Sequence, residues 1–270
     1  MDNLSSLLLM LAKRPSQQVV DAVIRFTQSA YWRQPTLTVA SALLPQLEDH
    51  SKWKARCLRV IGTTKVMLDD YKSAIECLSA ASKLFIEVDD RLQAAACKRR
   101  AGKAHVLLSE NERAEVSFNE AREVNVELGN KSEEALCRMN LGELMRMRES
   151  YPAAIQHFST ARQTFDNLGD TFHTFVCSQY LGTAYLDQDN LASATVELEA
   201  ARSVFSRLGA KHYMAQCTRY LVIVRHKQRE LVEAEQFLRE VETVSGTEET
   251  ASILRNVRSS LEPCESPKDA

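Results

Sequence analysis

The sequence predicts an all-α protein, a solenoid of antiparallel helix pairs that repeat along the chain. Its 270 residues include only eight glycines and six prolines, about 5% of the chain against roughly 12% in average proteins. β-Sandwiches and β-barrels need turn residues far more often than that. Small and apolar residues also recur every 40 residues, and a fixed period of this length is typical of a tandem repeat.

Five columns of residues keep this spacing without an insertion. The cysteine column contains Cys57, Cys97, Cys137, Cys177 and Cys217. The glycine column contains Gly62, Gly102, Gly142 and Gly182, with Val222 in the fifth copy. Two alanine columns contain Ala74, Ala114, Ala154, Ala194 and Ala234, and Ala81, Ala121, Ala161 and Ala201 with Val241 last. The large apolar column contains Leu78, Phe118, Phe158, Leu198 and Leu238.

Each copy is predicted to form two helices. In the third copy, residues 133–148 carry apolar side chains at helical spacing. Pro152 suits the first turn of the second helix, and Phe158 lies on its apolar face. Gly169 ends that helix, because glycine adopts the left-handed cap conformation without strain. The same stop signal recurs at Gly129 and Gly209.

The glycine column needs a packing reason, since a glycine inside a helix costs about 1 kcal/mol relative to alanine. We expect Gly142 and Ala154 to let the two helices of a pair approach closely. Phe158 and Leu141 would fill the space beside this contact. A larger side chain in place of Gly142 should force the helices apart.

These columns resemble the tetratricopeptide repeat (TPR) family. Its signature is matched best in the third copy, by Leu141, Gly142, Tyr151, Ala154, Phe158 and Ala161. The resemblance covers about residues 52–245 and implies a right-handed superhelical solenoid in which each helix pair contacts mainly its neighbours. The period of 40 residues is longer than the usual family period of about 34.

The chain is predicted to have three parts, namely amino-terminal helices in residues 1–50, five repeats in 51–245, and a capping helix with a disordered tail in 246–270. The first part contains two helices, at Gln17–Tyr31 and Thr36–Glu48, broken by Pro35. They form either a degenerate repeat or a cap. The capping helix is expected at Thr247–Leu261, with Thr247 as its N-cap residue.

Charge and apolar content narrow the functional classes. The 34 basic and 36 acidic residues give a net charge of −2, so nucleic acid is a weak candidate partner despite the basic run Lys98-Arg99-Arg100. No apolar stretch reaches the length of a membrane span, and the start of the chain lacks the pattern of a secretory signal. We therefore predict a reduced protein of the cytoplasm or nucleus.

The cysteine column is predicted to be buried, free and unreactive. Corresponding helices of neighbouring repeats lie about 10 Å apart, beyond the roughly 7 Å between α-carbons that a disulfide allows. A zinc site would need a Cys-x-x-Cys pair or a nearby histidine cluster, and the sequence has neither. A redox role for Cys77 or Cys264, which lie outside the column, stays open.

No catalytic, metal or cofactor site is predicted. The six histidines are scattered, and the motifs of serine hydrolases, phosphate-binding loops and zinc proteases are absent. The predicted function is a non-catalytic scaffold or adaptor that binds a peptide or helix of a partner protein in a concave groove. The alternative is a ligand-responsive sensor or regulatory module, allied to a signalling NTPase or a transcription regulator.

The TPR resemblance implies that the first helices line this groove. The residues expected to bind a partner there are Arg56, Arg59, Arg99, Lys103, Met139, Arg146, Gln179, Arg219 and Lys227. The first two copies are basic, which favours an acidic ligand, and a solvated helix face without a ligand is the competing interpretation. The carboxylate clamp of some TPR proteins is not expected, because Thr63, Arg100 and Leu136 occupy positions where it has asparagine or lysine.

Overall fold

The computed structural model describes residues 16–29, 34–47 and 49–228. Every regular element in these ranges is helical, and one of them is a short 3₁₀ helix, Leu44–Leu47. The α-helices are α1 (Gln17–Ser29), α2 (Gln34–Leu43), α3 (Ser51–Met67), α4 (Tyr71–Glu87), α5 (Arg91–Leu107), α6 (Asn111–Glu127), α7 (Lys131–Met147), α8 (Tyr151–Asn167), α9 (Thr171–Asp187), α10 (Leu191–Arg207) and α11 (Lys211–Lys227).

The helices from α3 onward repeat with strict regularity. Each is 17 residues long, and each begins 20 residues after the previous one. One helix pair with its two short turns therefore accounts for the 40-residue period. The predicted first helix at 133–148 is found at Lys131–Met147, and Pro152 lies in the first turn of α8, as predicted.

Each turn between these helices contains one residue in the left-handed backbone region. The predicted helix stops at Gly129, Gly169 and Gly209 are confirmed, with φ of 67°, 70° and 67°. The other turns adopt the same conformation without glycine, which was not predicted, at Asp69, Asp89, Ser109, Glu149 and Asp189. Side chains at these positions carry the strain of a left-handed conformation.

The residue after each left-handed position caps the preceding helix through its backbone amide and is also the N-cap of the next helix. The amide of Asp70, for example, donates to the carbonyl of Lys65 at 2.9 Å, which is the hydrogen bond of a Schellman cap. The side chain of Asp70 then accepts from the amide of Ser73 in α4. Asp170 and Asn190 cap α9 and α10 in the same way. These short polar turns thus supply hydrogen-bond partners to carbonyl groups at the end of one helix and to amide groups at the start of the next.

The chain divides into two compact units, Met1–Leu144 (unit 1) and Met145–Ala270 (unit 2). In unit 1, one apolar cluster joins α1, α2 and α3 and includes Val23, Leu43 and Ile61. A second packs Phe85 of α4 against α3 and α5, and a third packs Phe118 of α6 against α7. The core of unit 1 is therefore a series of clusters between neighbouring helices.

The amino-terminal helices differ from their prediction in two respects, one of which is that α2 ends at Leu43 and is followed by the 3₁₀ helix Leu44–Leu47. Both helices exist, but α2 begins at Gln34, so Pro35 lies in its first turn and does not break a helix. A first-turn proline is favourable because its missing amide has no partner there in any case. The three-part division of the chain stays a prediction, and the expected helix at Thr247–Leu261 and the tail beyond it lie outside the described residues.

The core of unit 2 follows the same pattern of clusters between neighbouring helices. Phe158 of α8 packs with Leu181 of α9, and Leu198 of α10 packs with Leu221 of α11. Phe165 and Phe205, at equivalent positions of α8 and α10, are fully buried. Each described helix of this unit therefore contributes to clusters with its neighbours.

The glycine column lies in close helix contacts. A Cβ on Gly62 would lie 2.7 Å from Cγ of Leu78 and 3.1 Å from the carbonyl oxygen of Ala74. A Cβ on Gly102 would lie 2.6 Å from Cε1 of Phe118. The expectation of a tight contact is met at these positions, and the large apolar column supplies the nearest atoms.

The burial predicted for the cysteine column is confirmed, since all five of its cysteines are buried and free. Burial raises the pKa of Cys97 to about 11 and that of Cys57, Cys137, Cys177 and Cys217 to about 12. Thiols with such values are poor nucleophiles at neutral pH. Within the described ranges, no helix is long and apolar enough to cross a membrane.

Candidate partner-binding face

The candidate site lies on the first helix of each pair, namely α3, α5, α7, α9 and α11. Predicted site residues recur on one side of these helices, as Arg99 and Lys103 do in α5. Residues four positions apart lie on the same side of a helix, one turn from each other. We call this side the first-helix face and describe it separately for unit 1 and unit 2.

Part of the predicted site in unit 1 is engaged by other helices. Arg56 makes an ion pair of 2.6 Å with Asp21 of α1. Arg99 is only 7% exposed, and its Nε donates to Glu133 of α7 at 2.9 Å. Met139 is also buried, with 7% exposure. These three side chains thus support the packing of the face more than they offer a free surface.

Four cations of α3 and α5 in unit 1 lie near one another. Arg59, Arg99, Arg100 and Lys103, here called the basic cluster, lie close enough for their charges to act on one another. Burial and the charges of Arg99 and Arg100 lower the pKa of Lys103 to about 8, although its side chain keeps contact with solvent. The surrounding protein therefore displaces part of the bulk water around a side chain that solvent still reaches. Burial also lowers the pKa of Arg100, which Arg99 and Arg59 lower further.

The hydrogen bonds of the cluster leave donors free. Nη1 of Arg100 donates to the carbonyl oxygen of Ala96 at 3.1 Å. Nε of Arg59 is buried and has no hydrogen-bond partner among the described residues. Glu133 is the one carboxylate of the described residues whose charge raises the pKa of Arg100 and Lys103. The cluster therefore carries an excess of positive charge.

In unit 2, side chains of the first-helix face form polar contacts with side chains of the neighbouring first helices. Arg146 forms an ion pair with Asp187 of α9. Gln179 is 6% exposed, and its Nε2 donates to Oε1 of Gln216 in α11 at 2.8 Å. The Oε1 atom of Gln179 has no hydrogen-bond partner among the described residues. The network continues from Gln216 to His212 at 2.9 Å.

The two predicted site residues of α11 also have partners. The guanidinium of Arg219 lies 4.9 Å from the ring centre of Tyr220 and donates to its hydroxyl at 3.2 Å. Lys227 forms an ion pair of 2.9 Å with Asp189. The face of unit 2 is thus polar and nearly neutral where that of unit 1 is basic.

The predicted site includes Arg59, Arg99 and Lys103 but not Arg100. The signal for Arg100 was the run Lys98-Arg99-Arg100, because two adjacent arginines widen the face that one helix presents. The partners Glu133 and Gln216 were also missed. They lie 34 and 37 residues from Arg99 and Gln179, so only helix packing brings them into contact.

The described residues contain no group of three or more histidine, cysteine, aspartate or glutamate side chains that could hold a metal ion. What the first-helix face does provide is a row of hydrogen-bond donors and acceptors on successive helices. Such a row suits the recognition of an extended polar ligand.

No family model and no curated protein matches the chain, whereas solved structures do match. A STAND-type signal transduction ATPase with a TPR sensor from Pyrococcus horikoshii aligns with TM-score 0.71 and 16% identity over 93% of this chain and 40% of its own. A Rap protein complexed with competence and sporulation factor aligns with TM-score 0.69 and 11% identity over 92% of this chain and 69% of its own. Aspartyl phosphate phosphatase F from Bacillus subtilis aligns with TM-score 0.68 and 15% identity over 82% of this chain and 60% of its own.

The likeness to these structures concerns the fold. This chain spans only 60% of the phosphatase and 40% of the sensor protein. Together with the regular helix pairs, the matches confirm the all-α, TPR-like solenoid fold that the sequence predicted.

Proposed function

We propose that this protein is a non-catalytic interaction module that holds a segment of a partner protein against its first-helix faces. The observation that carries the proposal is that side chains of successive first helices meet on one face within each unit. Arg99 donates to Glu133 across α5 and α7 at 2.9 Å, and Gln179 donates to Gln216 across α9 and α11 at 2.8 Å. A ligand on such a face would contact two repeats at once, which increases its buried area.

The similar structures support this proposal at the level of the fold. One of them is a Rap protein in complex with competence and sporulation factor. Folds of this kind build extended binding surfaces from consecutive repeats. Function must still be argued from side chains, and in this chain the polar first-helix faces supply that argument.

The second candidate is a ligand-responsive sensor module. It is supported by the likeness to the TPR sensor protein and by the buried, unpartnered Oε1 atom of Gln179, since an unsatisfied acceptor is a natural point for a ligand to bind. A sensor should change conformation when a peptide binds. Hydrogen exchange of the full chain would then slow in α9 and α11 and change in helices that do not touch the peptide, whereas a simple scaffold would show protection only at the contact.

Site-specific photo-crosslinking in the native cell tests the main proposal. A photoreactive amino acid replaces Leu107 in the first helix α5, and the matched control replaces Val116 in the second helix α6. The two side chains are 53% and 56% exposed, so solvent access does not favour either of them. We expect discrete protein adducts from position 107 and few from position 116. Adducts of equal pattern and yield at both positions would contradict the proposal.

A further inference from the structure

The basic cluster of unit 1 is not balanced by the protein itself. Four cationic side chains, Arg59, Arg99, Arg100 and Lys103, share the single carboxylate of Glu133 among the described residues. Like charges held together without counterions oppose folding. The loss of solvation adds to this, because Arg99 is buried and Nε of Arg59 is buried without an acceptor. An anion placed between these groups would remove both penalties.

The cluster is also accessible and has an apolar neighbour. Lys103 is exposed, and Arg59 and Arg100 are half-buried. Leu107 lies one helical turn beyond Lys103 and is 53% exposed. One turn rises about 6 Å along the helix axis, which equals about two residues of an extended chain. Side chains two residues apart in an extended segment point to the same side.

We propose that the basic cluster binds the carboxylates of an acidic segment in a partner protein, and that an apolar residue two positions along that segment contacts Leu107. This inference rests on the proposed function and specifies its ligand. The planar guanidinium groups of Arg59 and Arg100 match the geometry of a carboxylate. Arg99 is already paired with Glu133 at 2.9 Å, so the other three cations of the basic cluster are those that would contact the ligand.

The probe is a fluorescein-labelled peptide, Gly-Ser-Glu-Ser-Glu-Ser-Leu-Ser-Gly, titrated with the full chain at low salt and followed by fluorescence anisotropy. Lys103→Gln and Arg59→Gln should each weaken its binding about tenfold, the usual effect of losing one charge-assisted contact. The matched control is Lys72→Gln, which removes an exposed charge of α4 and should leave binding unchanged. Replacing leucine by serine in the probe should weaken binding severalfold.

Two further readouts separate a binding role from a structural one. Lys103→Gln should weaken the binding of the probe and at the same time raise the melting temperature of the protein. The melting temperature rises because the substitution removes repulsion from Arg99 and Arg100. Probe binding should also fall as the pH rises from 7 to 9, since Lys103 loses its proton near pH 8. The charged groups near Lys103 are Arg99 and Arg100 of α5, Glu133 of α7 and, beyond them, Arg59 of α3.

Several results would overturn the inference. These are equal binding of a probe with lysine in place of glutamate, equal loss in the Lys72→Gln control, or binding of a phosphoserine probe with no binding of the glutamate probe. Circular dichroism of each variant verifies that it folds. If Leu107 yields partner adducts in the cell but the glutamate probe does not bind, the proposed function survives and the acidic-segment inference falls. If neither experiment gives its expected result, both fall.

Discussion

The two units build the same helix pairs from different side chains. In unit 1, α5 packs through a series of small residues, namely the buried Ala94, Ala95, Ala96, Ala101 and Ala104. In unit 2, the equivalent helix α9 carries three rings, and Phe172 contacts Tyr213, His173 contacts Phe165 and Tyr180 contacts Phe158. In the same unit, Phe172 and Phe205 also contact each other edge to face, and Phe205 contacts Tyr213.

The sharpest difference is at one core position of the second helices. Phe85, Phe165 and Phe205 occupy it in α4, α8 and α10, whereas Asn125 occupies it in α6. Asn125 is only 1% exposed. Its Nδ2 donates to the carbonyl oxygen of Ala121 at 2.8 Å, and its Oδ1 has no partner among the described residues. The repeat backbone thus tolerates a polar residue in α6 of unit 1, where α4 of the same unit and both α8 and α10 of unit 2 use an aromatic ring.

The largest expected effect is the transfer of this polar residue to unit 2. Phe165→Asn should lower the free energy of unfolding by about 4 kcal/mol, because it removes a buried ring and leaves a cavity. Phe165 also stacks on His173 with 4.9 Å between ring centres. Urea denaturation followed by circular dichroism measures the change. A loss below 1 kcal/mol would mean that the core position is not equivalent in the two units.

The reciprocal substitution sharpens the same contrast. Asn125→Leu in unit 1 should raise the free energy of unfolding by about 1 kcal/mol, because an unsatisfied buried acceptor is replaced by an apolar group. The same urea titration serves as the measurement. A destabilised variant would show that α6 has no room for the branched side chain, so that the asparagine fits a narrower core.

The glycine contacts predict a difference of intermediate size. A Cβ on Gly102 would lie 2.6 Å from the ring of Phe118, and a Cβ on Gly182 would lie 2.6 Å from Cγ of Leu198. Gly102→Ala should cost about 2 kcal/mol, since a buried ring cannot yield. Gly182→Ala should cost about 1 kcal/mol, because leucine can change rotamer and alanine favours the helix. Equal thermal stability of both variants and the parent would refute these contacts.

The left-handed turns predict smaller changes of opposite sign within unit 2. Glu149 adopts φ of 59° and Gly169 adopts φ of 70°, and a Cβ on Gly169 would meet nothing within 4 Å. Glu149→Gly should therefore stabilise the protein by about 0.5 kcal/mol, and Gly169→Ala should destabilise it by about 1 kcal/mol, both through backbone strain. Melting temperatures that move in the same direction for the two variants would contradict this.

The smallest effect concerns acid pH and the cap of α9. Burial raises the pKa of Asp170, but hydrogen bonds from the amide and ring of His173 outweigh it and hold the pKa below its usual value of 3.8. A lowered folded-state pKa stabilises the protein above pH 3.8, and this contribution is lost as the pH falls through the lower folded-state value.

Comparing the parent with Asp170→Asn isolates this contribution, because asparagine also caps helices. The urea midpoint of the parent should exceed that of the variant at pH 5, and the difference should shrink toward pH 3. A difference that stays constant over this range would show that the charge of Asp170 does not contribute.

Much of the fold could be predicted because its signals are local. Gly129, Gly169 and Gly209 end helices through their own backbone preference, and Pro152 marks a first turn for the same kind of reason. The 40-residue columns then fix which helices form a pair. Pro35 misled the prediction because the sequence alone does not distinguish a proline in the first turn of a helix from a proline that ends one. The two cases differ in the backbone conformation of the residues before the proline.

The sequence by itself determined the repeat, the helix pairs, the buried cysteine column and the helix on which each candidate binding residue lies. Only the tertiary structure decided which of these residues are open to a partner. Arg99 and Gln179 are buried, while Lys103 on the same kind of face is exposed. The physical reason is that exposure and charge balance depend on side chains such as Glu133 and Gln216, which helix packing brings close from positions more than 30 residues away.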